Sequence, residues 1–359
     1  MSKYIVKLIP TGRFFFGGDM TFEVPGQAKH NEKFSSYIIR SLKFPQQTSL
    51  LGMLRFLILS NDEDAFNAAT QKIDDKKKAE ELIGKKSFTV NEDHAVNEFG
   101  KIQRLGTCYL CKGDEYFCQA PFDYGWEIGS IETEEATLNG KTVRIPSISI
   151  NKEEYTSKTG IHKCFLSKQG NVLKEDDVFQ EDSRIGIRKG INGKTEDEAF
   201  YKQIGYRLKD DCCFAFEVEV NDIDLTDSTY NGKLVTVGAD SSMFVVQIEK
   251  GSLGMELPDS YVMKNKDWEK VVLLADTYLP ETELVEYAIS ETKPFRFIKT
   301  TVENKNYHIM HGLHNLHNRS ERYNLFSAGS VFLVNNAVEF KKKIEAEKEF
   351  VQIGYNHCK

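Results

Sequence analysis

The apolar positions of the chain change period several times, and each change marks an element. "KYIVKLIP" alternates apolar and polar residues, the period of a half-buried strand. A polar stretch rich in glycine and aromatics follows, "TGRFFFGGDMTFEVPGQAKHNEKF", and its length is that of a functional or mobile loop. "QQTSLLGMLRFLILSN" carries apolar residues densely enough for a packed helix, with Thr48 or Ser49 as the expected N-cap. Residues 61–86 are charged and predict an exposed helix or a pair of helices. Residues 87–180 break into short strand-like pieces between polar turns. One of them, "GTCYLCKGDEYFCQAP", predicts a hairpin turning at Lys112-Gly113-Asp114. "CFAFEVEV" alternates strictly and is the clearest strand, and "KLVTVGADSSMFVVQIEK" predicts a glycine turn and another strand. A second unit starts near residue 256. There "WEKVVLLADTYLP", "PFRFIKTTV" and "LFSAGSVFLVN" predict strands, and "AVEFKKKIEAEKEF" predicts an amphipathic helix.

The order strand, helix, strand, strand, later strand predicts an α+β fold built on a ferredoxin-like βαββαβ unit with large insertions. Such a unit presents an open antiparallel sheet and basic loops, a common RNA-binding platform. The aromatic motifs of an ordinary RRM are not visible here.

At 359 residues, 40% hydrophobic and 28% charged, the chain has room for two or three domains and a sizeable core. No apolar run approaches the roughly 20 residues that cross a bilayer, and the longest is broken by Arg55. The N-terminal stretch lacks the features of a signal peptide, so a cytoplasmic location is expected. Seven cysteines in a chain of this length predict reduced thiols. Cys108 and Cys111 form a CxxC with Cys118 nearby, but there is no second pair. Zinc is the weaker reading and strand residues of a hairpin the stronger, and no metal or cofactor is expected.

The net charge of −7 argues against a generic nucleic-acid coat. Its distribution changes the picture. Residues 1–58 hold eight Lys/Arg against three Asp/Glu, residues 184–209 seven against three, and residues 293–323 six against two. Three local basic stretches in an acidic body fit a confined anionic ligand, or a chance fluctuation among solvated faces.

The stretch "RIGIRKGINGKTEDEAFYKQIGYRLK" resembles a phosphate-binding loop running into a helix, with Thr195 and Glu198 as a capping box. A P-loop needs a glycine five residues before Gly193, and Arg188 stands there, so the nucleotide-triphosphatase reading is rejected. What remains is a strand, a basic glycine-rich excursion, and a return strand. It places Arg184, Arg188, Lys189 and Lys194 near a phosphate chain, or on a solvated hairpin tip. In "NYHIMHGLHNLHNRSERY", His308, His311, His314 and His317 recur every three residues. They suit a metal, a general acid and base, or more simply a polar loop, with no Asp/Glu inside the run to help a metal. Gly329 and Ser330 lead into an apolar strand, where a glycine permits close approach of another backbone. No Ser-His-Asp triad, HExxH or paired-carboxylate constellation is present.

Taken in order, these blocks resemble the RAMP superfamily of CRISPR proteins, and within it the third subunits of type III-B (Cmr) effector complexes. The matching stretches are "LIPTGRFFFGGDMTF", "FPQQTSLLGMLR", "YFCQAPFDYG", "IGIRKGINGKTEDEAFYKQIGYRL", "VGADSSMFVV", "VVLLADTYLPE", "AGSVFLV" and "VQIGYN". Two departures stand out. Arg188-Lys189 replaces an apolar-acidic pair, and the histidine-rich run stands where a tryptophan-bearing segment is usual.

The resemblance implies two ferredoxin-like (RRM-like) domains, here 1–255 with β-rich and helical insertions at about 61–180, and 256–359. It implies no nuclease activity and no cofactor. It further implies a grip on the repeat-derived 5′ handle of the CRISPR RNA, and contact with the large polymerase-like subunit and the first backbone RAMP subunit, in antiviral defence. Target RNA would be met indirectly. For an RNA backbone the expected contacts are Arg40, Lys43, Thr48, Ser49 and Arg55 around a helix N-terminus, Arg184, Arg188, Lys189 and Lys194 on the basic excursion, and Arg322, Gly329 and Ser330. Arg55, inside an apolar helix, equally suits an internal ion pair. Phe14, Phe15 and Phe16 suit base stacking or a core. The alternative is a CRISPR-RNA processing endonuclease of the same superfamily using a histidine, His30 or one of the 308–317 run. A scaffold that contacts proteins only is the third reading.

Overall fold

The computed structural model describes residues 1–18, 20–23, 36–91, 94–125, 127–151, 163–189, 195–262, 268–298 and 320–359. The strand Ser2–Pro10 is the axis of the main sheet. Its apolar positions Tyr4, Val6 and Leu8 are buried, as the alternation predicted. One edge pairs antiparallel with Cys212–Val220, the other antiparallel with Met243–Lys250. From Cys212–Val220 the sheet continues to Tyr109–Lys112, Glu115–Gln119, Cys164–Ser167 and Val172–Lys174, and Leu234–Thr236 lies at the other edge. In Cys212–Val220, Phe214, Phe216, Val218 and Val220 are fully buried on one face while Glu217 and Glu219 stay partly exposed on the other. The cysteine hairpin forms as expected, with Gly113 at φ +60° in the turn and the Cys111 thiol donating to the Gly113 carbonyl at 3.2 Å.

Helix α1, Gln47–Ser60, packs Leu50, Leu54, Leu57 and Ile58 into the core. It starts earlier than expected. Gln46, extended at φ −67° and ψ 143°, is the N-cap, no side chain caps the helix, and Thr48 and Ser49 lie inside its first turn. The Gln47 side chain donates instead to the Gly106 carbonyl at 2.8 Å. Residues 61–86 depart further from expectation. A small hairpin of Phe66–Asn67 and Lys72–Ile73 precedes a single helix, α2, Lys76–Ile83. Side chains offer this backbone a non-helical alternative: Asp62 accepts from the Ala65 N–H, and Asn67 from those of Ala69 and Thr70.

The capping box predicted at Thr195 is overturned. Thr195–Leu208 is a 14-residue strand, hairpinned with Phe179–Lys189 just after the short helix α3, Glu175–Val178. Ser36–Arg40 joins it in parallel and Met20–Glu23 closes this four-stranded sheet. Pairing along the whole of Phe179–Lys189, joined by Ser36–Arg40 at Tyr201–Ile204, outweighs the local helix signal. Arg13 anchors the hairpin: its buried guanidinium donates to the Asp182 carbonyl and to Gln203 Oε1 at 2.9 Å. Burial lowers its pKa below the ordinary arginine value. Gly205 leaves the room. A Cβ there would sit 2.7 Å from the Arg13 guanidinium and 2.8 Å from the Phe14 carbonyl oxygen. Gly205→Ala is therefore expected to cost about 1–3 kcal/mol, read by chemical denaturation. An unchanged midpoint would show that the hairpin does not depend on this contact.

Toward the end of the sequence, Glu269–Val272, Val331–Val334 and Val285–Ile289 form a three-stranded antiparallel sheet. Helix α4, Ala337–Ala346, contributes Phe340 and Ile344 to the core of this part. The single helix predicted there is interrupted at Glu347, and α5 follows as Lys348–Gln352. Thr292–Phe295 pairs with Tyr323–Phe326. The largest apolar cluster joins distant parts of the sequence, since Phe295, Phe297, Leu325 and Phe350 share it with Val6, Leu54 and Phe214. The chain is thus a mixed α/β, sheet-rich protein with few helices. Among the described residues no helix is long and apolar enough to cross a membrane.

Candidate nucleic-acid interface

Between the start of α1 and the ladder Thr292–Phe295/Tyr323–Phe326 lies a cleft of about 1440 Å³. One wall is the segment Phe16–Gly18, the run Arg40–Ser49 and the first turns of α1. The opposite wall is Lys293–Ile298, Arg322 and Ser327–Ala328. Glycine lets the backbones close in: a Cβ on Gly18 would lie 1.8 Å from the Arg40 carbonyl oxygen. Seven Lys/Arg line the cleft, Arg40, Lys43, Arg55, Lys163, Lys293, Arg296 and Arg322, against the acids Glu175, Asp276 and Glu291.

Most of those cations already have partners. Arg40 donates to Glu181 at 3.0 Å and to the Tyr206 hydroxyl at 3.2 Å. The hydrogen bond to Tyr206 and the Glu181 carboxylate outweigh desolvation and raise its pKa. Lys43 pairs with Glu175 and lies over the rings of Tyr206 and Phe179. Lys163 pairs with Glu291 at 3.0 Å, and Lys293 with Asp276 at 2.6 Å.

Arg296 and Arg322 differ. Both are exposed, and neither forms an ion pair with another described residue. The ladder's last paired position is Phe295↔Tyr323, and each arginine stands one residue beyond it on its own strand. Phe295 and Phe297 point into the core on either side of Arg296. Ser320 fixes the end of the ladder, its hydroxyl accepting from the Phe297 N–H at 3.0 Å. Two cations on neighbouring strand ends suit a bound anion.

Several expected contacts face inward. Arg55 is 3% exposed, with its guanidinium on the carbonyls of Ile83 (2.9 Å) and Gly84 (3.3 Å). It ties α1 to the end of α2 rather than offering a charge to a ligand. Arg55→Ala is expected to lower stability by about 2 kcal/mol, because bonds from a charged donor are lost. A denaturation midpoint that does not move would show that these bonds carry no stability. Gly329 takes φ +89° where a Cβ would meet the Ala120 carbonyl at 2.7 Å, so it serves close approach. Ser330 is fully buried, its hydroxyl on the Ser327 carbonyl at 2.7 Å. Thr48 and Ser49 do line the cleft. Arg184 is exposed on Phe179–Lys189, outside the cleft lining, and that strand also carries Arg188 and Lys189. Lys194, His30 and His308–His317 lie outside the described residues.

The sequence pointed to Arg322 but passed over Lys163, Lys293 and Arg296. The signal for Arg296 was present as "PFRF", a charge between two core aromatics at strand period. Of the consecutive phenylalanines, Phe14 and Phe15 are buried. Phe16 packs on Phe244 at 5.8 Å, so this run belongs to the core.

A search among curated proteins returns no match. Among solved structures, a chain of the cryo-EM structure of the Type III-B Cmr-beta bound to cognate target RNA is similar over 99% of this chain and 96% of that one, at 13% identity and a TM-score of 0.47. The same assembly with target RNA and AMPPnP, state 1, gives 98% and 94% coverage, 11% identity and 0.47. A chain of the crystal structure of the Csm1-Csm4 cassette in complex with pppApA gives 94% and 87%, 11% and 0.35. A family model, CRISPR-associated protein (Cas_Cmr3), matches residues 6–359. With nearly its whole length matched, the chain belongs to the Cas_Cmr3 family of CRISPR-associated proteins.

Proposed function

We propose that the chain is a noncatalytic subunit of a type III-B CRISPR RNA-guided effector complex, and that its cleft holds the repeat-derived 5′ handle of the CRISPR RNA. The observation that carries this reading is the Arg296/Arg322 pair, two exposed charges on neighbouring strand ends, neither ion-paired among the described residues, in the lining shared with the glycine-lined start of α1. Guanidinium groups so placed suit two neighbouring phosphates or one phosphate from both sides. The aromatic and basic lining of the cleft suits a single strand with splayed bases, the form in which RNA is usually read.

The same subunit would join the large polymerase-like subunit to the backbone. The long hairpin supports this, because it exposes Ile185 (65%) and Ile187 (48%) beside Arg184. We read the fold as two ferredoxin-like units with a boundary near 255. The strand order Met243–Lys250, Ser2–Pro10, Cys212–Val220, Tyr109–Lys112 is that of a βαββαβ sheet with α1 after its first strand. Turns over 221–233 stand where its second helix would be.

The test is to express the chain with its genomic neighbours, purify through a tag on this subunit, and sequence the bound RNA with 5′ ends preserved. Short RNAs sharing one 5′ handle shielded from nuclease are expected. Random fragments, or none, would reject the handle reading. The purified chain should leave repeat RNA intact without added metal, and cleavage would reject the noncatalytic part.

A further inference from the structure

Outside the cleft lining, His94, Glu347 and Glu349 bring their ligand atoms within 4.8 Å of one another. Glu347 and Glu349 flank the start of α5, and their side chains are 7% and 0% exposed. Among the described residues, Glu347 Oε2 and both oxygens of Glu349 have no well-aligned hydrogen-bond donor. Two adjacent carboxylates are thus shut away from water with only the His94 ring near them, an arrangement that proteins resolve by pairing, protonation or a cation. Burial beside Glu349 pushes the Glu347 carboxyl above its usual range. The imidazole alone does not resolve the arrangement. His94 Nδ1 lies 3.1 Å from Glu347 Oε2 and 3.4 Å from Glu349 Oε1, and one N–H serves at most one of them well.

We propose that His94, Glu347 and Glu349 bind one divalent transition-metal ion, zinc by donor set. Around zinc, bonds of 2.0–2.2 Å at tetrahedral angles put neighbouring ligand atoms about 3.4 Å apart, close to both distances from His94 Nδ1. One imidazole nitrogen and two carboxylates leave a fourth position for water. The half-exposed face of His94 gives the ion its way in. The ligands are carried on a braced frame. The Asn97 N–H donates to Gln352 Oε1 at 2.7 Å, and Gln352 Nε2 returns a bond to the Asn97 carbonyl at 2.8 Å. Asn91 bonds the Ala95 carbonyl across the turn that holds His94 at φ +50°.

The ion's role is structural. It pins the loop after Phe88 to α5, where Phe88 packs on Phe350 at 5.4 Å and Phe297 at 5.0 Å. Ser87 holds the Ile298 carbonyl at 3.0 Å, so the same loop supports the segment that carries Arg296.

The full chain, stripped with a chelator and dialysed, is titrated with zinc chloride by calorimetry and then melted with and without the metal. One ion per chain and a raised Tm are expected. His94→Ala should weaken binding more than tenfold and remove the rise in Tm, because losing a ligand exceeds the 10–100-fold cost of losing its support. This variant replaces a half-exposed side chain, so it should fold. Glu349→Gln should likewise lose the site. Absence of binding by zinc and by manganese in the wild-type chain would overturn the proposal. Binding that His94→Ala leaves unchanged, as cysteine ligation would give, would overturn it too.

Discussion

Lys270→Met is expected to lower the free energy of unfolding by about 3–5 kcal/mol, the cost of leaving a buried charge without its partner. Lys270 Nζ and Asp123 Oδ2 lie 2.5 Å apart, with side chains 8% and 5% exposed. Among the described residues Asp123 Oδ1 has no hydrogen-bond partner, so the pair carries no reserve. The two residues come from parts of the chain 147 positions apart: Asp123 ends the "APFD" turn, and Lys270 sits in the strand Glu269–Val272. The variant retains most of the aliphatic bulk and removes the charge, which isolates the electrostatic loss. Removing both charges, as in Asp123→Leu with Lys270→Met, should recover most of the stability, since paired burial is near neutral against apolar packing. Denaturant midpoints at constant m-value decide it. A loss below about 1 kcal/mol in the single variant would mean that water reaches Asp123.

If the cleft holds the handle RNA as proposed, replacing Arg296 and Arg322 together by alanine weakens that binding about 100-fold. Each charge-assisted contact contributes about 1.5–3 kcal/mol, and the lower end of that range for two contacts already gives the factor. The dependence of log K on log salt should become shallower by about 1.4, the value for two phosphates of a single strand. Stability should move by no more than about 0.5 kcal/mol, because both side chains are exposed. Filter binding of the purified chain over a salt series, beside a denaturation curve, separates the effects. Loss of affinity with an unchanged salt slope would show that the arginines shape the wall and touch no phosphate.

The contrast between Arg55 and Arg296 shows where sequence reasoning reached and where it stopped. Both are single cations among apolar residues. At helical period, Arg55 was compatible with either a ligand or an internal partner. The answer came from α2, whose final carbonyls end beside it. At strand period, Arg296 between Phe295 and Phe297 had to face away from the core. Nothing local revealed that Arg322 would stand beside it, since that depends on the register of Thr292–Phe295 with Tyr323–Phe326. The metal-ligand cluster was less legible still. Glu347 and Glu349 read as surface charges of an amphipathic helix. Only the break at Glu347 and the return of the loop at His94 turned them inward.

Strict alternation placed Ser2–Pro10 and Cys212–Val220, because side-chain period and burial are local consequences of a pleated backbone. Dense apolar content placed α1, the Gly113 turn followed from its residue chemistry, and the order of short blocks carried the family. Tertiary structure decided the rest. It drew Thr195–Leu208 into a strand against its helix signal by pairing it along Phe179–Lys189. It also gave each arginine its role, because a guanidinium is spent or available according to which carbonyls and carboxylates the fold brings within reach.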